Sequence, residues 1–448
     1  MSVDLDLKPL EARAAELVAA AKRAGADAAD AVVVKGVQLG IDVRGGKVEE
    51  SERSESDDFS LRVFVGNRSA SVSANVLDRL DTLAERAVAM ARVAPEDRFA
   101  GLADSDRLAR EFPDLDLVDP VQPDAKALTD VALVAEEAGL AVDGVAKSGG
   151  AHAGTSLSGL VLATSDGFAG SYLVSRHTIS MTAIAGSGTA MERDYEMSVA
   201  THRDDLDAPE KIGRGAGERA VARLGADKIE TRNGATVIYE PRAAASLIRH
   251  FIAAISGGAI ARKTSFLTDR LGKPVFAPGI RIADDPLRRR GLGSRPFDAE
   301  GVSVSPLDLV DGGVLQSWLL DSATARELGL ETNGRASRGG GGTSPSATNV
   351  TLGAGEKSPQ ELMKEIGSGL FITDLIGHGV NAVTGDYSRG ASGFWFENGE
   401  ITTPVSEITV AANLKDMFAR MIPANDPEYR FGIEVPTVAV EGVTIAGR

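Results

Sequence analysis

A run of short alternating segments near the start constrains this chain more than any other feature. Residues 31–35, 38–44, 47–54, 59–65 and 69–74 are rich in β-branched residues and alternate apolar with polar side chains. A period of two puts every second residue on one face, so each segment reads as a half-buried strand. The pairs Gly45-Gly46 and Gly66-Asn67 separate successive segments. Both suit the positive φ of a tight hairpin turn, so the strands they join are expected to run antiparallel.

Helices flank these strands. Residues 9–23 place Leu10, Ala14, Leu17, Val18 and Ala21 on one face and stop at Gly25. Residues 76–92 repeat the spacing with Leu77, Leu80, Leu83, Ala84, Ala87 and Met90. A stretch rich in Pro, Asp and Arg, residues 95–123, has no sustained period and reads as a linker. The order then recurs in outline: a helix over 125–138, strands from 143 to about 201, and a helix over 209–224. An internal helix–strands–helix repeat is one reading, and chance resemblance between two α+β units is the other.

From Thr231 the texture changes to strands such as 235–239, 301–305 and 314–320 between glycine-rich loops. One helix is signalled by Ser358 as N-cap, Pro359 at the first helical position and Glu361 three residues after the cap. Segments 394–397, 407–410 and 437–440 read as strands of a large antiparallel sheet. The expected fold is α+β. Two N-terminal helix/antiparallel-sheet units, 1–94 and 124–228, are joined by the linker 95–123 and followed by a β-rich C-terminal domain over 229–448. A length of 448 residues suits such a division, since one core rarely serves so long a chain.

Composition excludes several functions. A net charge of -16 argues against nucleic-acid binding, which needs clustered Lys and Arg. Arg288, Arg289 and Arg290 form the one conspicuous basic run, read as a solvated loop in preference to an anion site. With no cysteine there is no disulfide, thiolate zinc site or cysteine nucleophile. The start, MSVDLDLKPLEARAAEL, lacks the basic and apolar regions of a secretory signal, and no apolar run approaches bilayer length. A cytoplasmic protein without membrane contact is expected.

The search for chemistry centres on AAASLIRHFIAAISGGAIARKTSFL, which begins at Ala243. A helical zinc hydrolase presents two histidines one turn apart with a glutamate beside the first. His250 stands where the first would be, but Phe251 and Ile255 occupy the places of the glutamate and the second histidine. On a helical wheel Leu247, Ile248, Phe251, Ile252 and Ile255 share one arc, with Arg249 and His250 outside it. Phe251 and Ile255 therefore belong to the packing face, and His250 reads as a hydrogen-bonded or exposed histidine rather than a metal ligand.

His152, His177 and His202 are scattered through the strand-rich middle, and His378 sits in a GHG loop. No G-x-S-x-G elbow occurs, and Ser337 in NGRASRGGGGTSPS is a loop serine. Gly339, Gly340, Gly341 and Gly342 lack the lysine of a phosphate loop, which favours a peptide- or partner-contacting loop. The pairs Asp284-Asp285 and Glu49-Glu50 read as turn and surface carboxylates without partners to tune them. No catalytic residue and no metal ligand is assigned.

Several segments in order resemble the TldD/PmbA family, specifically its PmbA (TldE) branch. They are HFIAAISGGAIARKTSFL, GRASRGGGGTSPSATNV, GHGVNAVTGDYSRGASGFWFENGEI and PTVAVEGVTIAGR, together with DVRGGKVEESERSESDDFSLRVFVGNRSASVSAN near the start. The resemblance covers nearly the whole chain. It implies a TldD branch that carries H-E-x-x-x-H and a cysteine to hold zinc for proteolysis. His250 matches the first histidine, Phe251 replaces the glutamate, Ile255 replaces the second histidine, and no cysteine matches the third ligand.

The resemblance further implies a chain without its own cofactor that pairs with a TldD-type zinc subunit around an internal chamber. Family members process small peptides, including a microcin precursor that targets gyrase, and degrade unfolded chains. Gly339, Gly340, Gly341, Gly342, Thr343, His378, Asn381 and Tyr387 are the candidate chamber or substrate contacts. The alternatives are an independent peptidase with a cryptic site and a non-enzymatic, homodimeric binding module.

Overall fold

A computed structural model describes residues 5–76, 79–339 and 342–447. The first half contains α1 (Lys8–Arg23), β1 (Ala28–Arg44), β2 (Lys47–Val65), β3 (Arg68–Ala74) and α2 (Leu80–Val93). It then repeats that order as α3 (Ala125–Leu140), β4 (Val145–Thr164), β5 (Ala169–Ala185), β6 (Glu192–Ala200) and α4 (Pro209–Ala222). The six strands form one antiparallel sheet in the order β3-β2-β1-β4-β5-β6. The repeat read in outline from the sequence is thus a repeat of structure, with β1 and β4 paired at the centre. Val37 lies opposite Leu157 in that pairing.

Two pairs of expected strands are fused. Segments 31–35 and 38–44 are one strand, and so are 47–54 and 59–65. The residues between them stay in register with their neighbours, Gly36 facing Ser56 and Ser158, so the ladder carries the chain across a locally weak stretch. The second helix begins at Leu80, and Leu77 lies outside the described residues.

One face of the sheet is covered by helices in two pairs. Over one half, Leu10, Ala14, Leu17 and Val18 of α1 and Ala84, Ala87 and Val88 of α2 pack on Val33, Leu61 and Val161. Over the other half, Leu128, Ala132 and Ala135 of α3 and Ile212, Ala216 and Ala220 of α4 pack on Ile41, Ala153 and Met181. Helix α4 carries Gly213, Gly215 and Gly217, each costing about 1 kcal/mol against alanine. That deficit is offset by close packing. A Cβ on Gly213 would stand 1.9 Å from the Ala135 carbonyl, so α3 and α4 meet backbone to backbone.

Residues 95–123 contain no helix or strand among the described residues, yet they are anchored along their length. Ala103, Ala109, Leu115 and Leu117 are buried, and the Ser175 hydroxyl accepts from Asp119 N and donates to Thr201 O. Beside this strap His177 is 2% exposed, with Nδ1 3.1 Å from the Thr155 hydroxyl and Nε2 3.6 Å from the Asp119 carboxylate. Burial lowers its pKa to about 4, aided by Arg203 and His202 and opposed by Asp119.

A folded pKa below the unfolded value means that the unfolded chain takes up a proton first as pH falls. Stability is therefore expected to drop between about pH 6.5 and pH 4 by up to about 3 kcal/mol from this group. Urea unfolding at pH 7.5, 6 and 5 checks this. His177→Gln should flatten the slope over that window, and an unchanged slope would remove His177 as its cause.

The second half begins with β7 (Arg232–Tyr239), α5 (Pro241–Ala254), α6 (Gly257–Ala261), β8 (Ile282–Asp284), β9 (Leu307–Asp311), β10 (Val314–Leu315) and α7 (Ser322–Leu328). It continues through β11 (Ala336–Gly339), β12 (Gly342–Pro345), β13 (Val350–Leu352), α8 (Pro359–Ile366), β14 (Ser368–Ile376) and β15 (Asp386–Glu397). It ends with β16 (Glu400–Asn413), α9 (Leu414–Ala419), β17 (Met421–Pro423), β18 (Glu428–Arg430), β19 (Ile433–Val435) and β20 (Val438–Ala446).

Two further six-stranded sheets result, ordered β16-β15-β14-β7-β20-β17 and β10-β9-β8-β13-β19-β18. Each is antiparallel except for one pair, β14 with β7 and β13 with β19. The capping box at Ser358 and Glu361 forms as read. Residues 301–305 form no strand, only isolated bridges at Val302 and Ser303, and 314–320 shortens to β10. Among the described residues no helix is long and apolar enough to cross a membrane.

Asp284 corrects the sequence reading. It is no surface carboxylate but is fully buried on β8, with Arg335 Nε 2.5 Å from Oδ2 and the Thr348 N–H and hydroxyl each 2.7 Å from Oδ1. Arg335, also fully buried, donates its remaining protons to the carbonyls of Asn333, Gly334, Ser305 and Asp284. Glu49 and Glu50 are exposed as expected. The arginine run is not freely solvated either. Arg288 pairs with Glu434 over the Tyr429 ring, and Arg289 and Arg290 share Asp116. The two pairs with Asp116 tie the strap to the C-terminal half.

Candidate functional site

Strand β7 runs through Glu240 directly into α5, where Pro241 fits the first turn because its missing N–H would have no helical partner. The apolar stripe of α5 then decides what faces inward. Leu247, Ile248, Phe251 and Ala254 are buried, and Ile255 closes the helix at 0% exposure. Phe251 stands edge-on to Phe276 with centroids 5.0 Å apart and to Phe418 at 6.1 Å, and those two rings stack on one another at 4.6 Å. The two positions that would complete the metal motif are therefore core residues, as the wheel indicated.

His250 departs from its expected setting. It is half-buried, and its Nε2 is enclosed without a hydrogen-bond partner. Burial lowers its pKa, and the positive charges of Arg389 and Arg249 lower it further, so the imidazole is neutral. Its ring meets that of Tyr387 edge-on at 6.2 Å. The Tyr387 hydroxyl, on β15, and the Tyr239 hydroxyl, at the end of β7, face each other closely enough to influence one another's ionisation. Neither makes a hydrogen bond of good geometry with any protein atom. Burial pushes the Tyr387 phenol up to about 12 and that of Tyr239 well above its ordinary value. Arg389, two residues beyond Tyr387 on the same face of β15, gives an Nη2 proton to the Leu375 carbonyl at 3.1 Å and leaves Nε unpartnered.

Of the expected contact residues, only Tyr387 joins His250, and it does so as a buried side chain 1% exposed. His378 and Asn381 lie in the exposed connection between β14 and β15, where Asn381 Oδ1 accepts from the backbone of Val383 and Thr384. Gly339 and Gly342 end the β11–β12 hairpin, whereas Gly340 and Gly341 lie outside the described residues. That hairpin docks on the N-terminal sheet. Arg338 pairs with Asp30 at 2.6 Å, and the Thr343 hydroxyl accepts from Arg62 and donates to Glu300, each at 3.1 Å. Tyr239 and Arg389 escaped the sequence reading, whereas Arg249 was placed beside His250 off the packing stripe but given no role. Arg389 could have been found from its period-two spacing to Tyr387, but nothing local marks Tyr239.

Models of PmbA/TldA metallopeptidase domain 1, of the central domain and of the C-terminal domain match residues 29–91, 118–224 and 232–447. A Haemophilus influenzae metalloprotease PmbA homolog is 37% identical, covering 95% of this chain and 94% of its own length. The Escherichia coli O157:H7 metalloprotease PmbA is also 37% identical, with 94% and 93% covered. In fold, the chain matches a candidate modulator of DNA gyrase from Bacteroides thetaiotaomicron with a TM-score of 0.90 and 25% identity, over 98% of this chain and 99% of that one. TldE from Thermococcus kodakarensis shares the fold at a TM-score of 0.85 and 19% identity, with 97% and 99% covered. The chain belongs to the PmbA/TldD metallopeptidase family and is of its PmbA/TldE type.

Proposed function

We propose that this chain is the non-catalytic subunit of a two-chain metallopeptidase. It pairs with a TldD-type subunit that holds the zinc and cuts small or unfolded peptides. The side chains around His250 carry this reading. Catalytic zinc takes three protein ligands, drawn from His, Asp, Glu and Cys, and keeps one position open for water. Beside His250 stand two tyrosines held neutral and the cations Arg249 and Arg389, which oppose a divalent ion. Among the described residues no group of three His, Cys, Asp or Glu is placed to hold a metal. The set does not fit zinc.

Pairing is supported by the likeness to a Haemophilus influenzae metalloprotease TldD homolog, 26% identical over 42% of this chain. Branches that share a fold can present related surfaces to one another. An unfolded peptide is well held between such chains by strand addition, which uses backbone hydrogen bonds and little side-chain specificity.

Co-expression with a TldD-type chain should give a stable complex whose peptidase activity is abolished by a chelator and absent from either chain alone. Light scattering reads the association and a peptide-cleavage assay the activity. Absence of both association and altered activity would overturn the proposal. So would stoichiometric zinc in the pure chain that disappears in His250→Ala, which would point to an independent peptidase.

A further inference from the structure

Four polar atoms without a hydrogen bond of good geometry lie beside α5: Nε2 of His250, the hydroxyls of Tyr239 and Tyr387, which face each other, and Nε of Arg389. Tyr239 and Tyr387 are 0% and 1% exposed, so bulk water does not serve them. A buried polar group whose hydrogen bonds are unmet is unfavourable, and several gathered at one place would be relieved by a bound group.

Charge points the same way. Neither Arg249 nor Arg389 has an ion pair among the described residues, whereas Arg223 and Arg242 close by both pair with Asp194. Each of the four orphaned groups can donate a proton, the neutral imidazole through its Nε2–H tautomer. Converging donors beside uncompensated guanidinium groups suit a planar anion with two oxygens. A water molecule would satisfy some donors but leave the charge of Arg389 unmatched. Arg249 and residues 376–379 beside this cluster are exposed, while Arg389 itself is tied to Leu375.

We propose that Tyr239, His250, Tyr387 and Arg389 form a carboxylate-binding site that takes the C-terminal carboxylate of a peptide. It rests on the reading that the chain handles peptides, and it gives the converted metal position a use. The tyrosines and Arg389 hold the two oxygens, and His250 donates from the helix side.

The test is calorimetric titration of the full chain with three probes: an acetylated alanine tripeptide, its C-terminal amide, and that amide with one internal glutamate. The free acid should bind at least about tenfold more tightly than the amide, and Arg389→Gln and Tyr387→Phe should each remove about that factor. Tyr387→Phe removes only an unmet hydroxyl, so its melting temperature without peptide should stay level or rise. Rescue of binding by the glutamate would keep the carboxylate site but move its source to a side chain. Equal binding of acid and amide, insensitivity to Arg389→Gln, or no binding of any probe would overturn the site. Complex formation with the TldD-type partner is read separately, so loss of one reading is distinguishable from loss of the other.

Discussion

Phe251→Glu, which places a glutamate after His250 as in a helical zinc motif, is expected to unfold the chain rather than create a hydrolase. Phe251 is 0% exposed between Phe276 and Phe418. Removing such a ring costs about 3–5 kcal/mol, and a carboxylate in the same space adds a desolvation cost of at least several more. Whole domains are stable by only about 5–15 kcal/mol, so this one change spends most of the margin. Phe251→Leu keeps an apolar side chain, and its loss should stay nearer 1–2 kcal/mol. Thermal unfolding followed by circular dichroism separates the two. A folded Phe251→Glu, Ile255→His double variant that binds zinc stoichiometrically would show the position to be a metal site merely switched off.

Arg335→Ala is expected to be almost as damaging. The Asp284–Arg335 pair is completely enclosed, and truncating one member strands the other charge, at a cost of about 3–5 kcal/mol plus that of the cavity. Because Thr348 also bonds Asp284, the middle of the sheet, where β8 meets β13, should loosen with it. Removing both charges in Asp284→Asn, Arg335→Met should recover a large part of the loss, since the stranded charge rather than the missing bond dominates. Denaturant midpoints of the single and double variants decide this. A double variant no better than Arg335→Ala would put the cost in shape instead of charge.

Legibility divides along physical lines. Helix α5 and the inward turn of Phe251 and Ile255 were readable because a 3.6-residue period is local and Leu247, Ile248 and Phe251 obey it. The hairpin turn at Gly45-Gly46 was readable because both glycines adopt positive φ, which few other residues tolerate. Asp284 was misread because an Asp-Asp-Pro string looks like a turn, and its partner lies 51 residues away. His250 was half-read. The wheel put it off the packing stripe, but no wheel contains β15, which covers it with Tyr387 and Arg389.

By itself, then, the sequence determined the local elements and the absence of the residues that a zinc motif on α5 would need. Those properties depend on side chains a few positions apart, where periodicity and residue type suffice. The tertiary structure alone decided that β1 and β4 join the two units into one sheet. It also decided that Asp284 is buried with Arg335, and that Tyr239, His250, Tyr387 and Arg389 meet with polar atoms unpaired. Each of these outcomes depends on strand register and burial set by partners tens to more than a hundred residues distant, which local pattern does not encode.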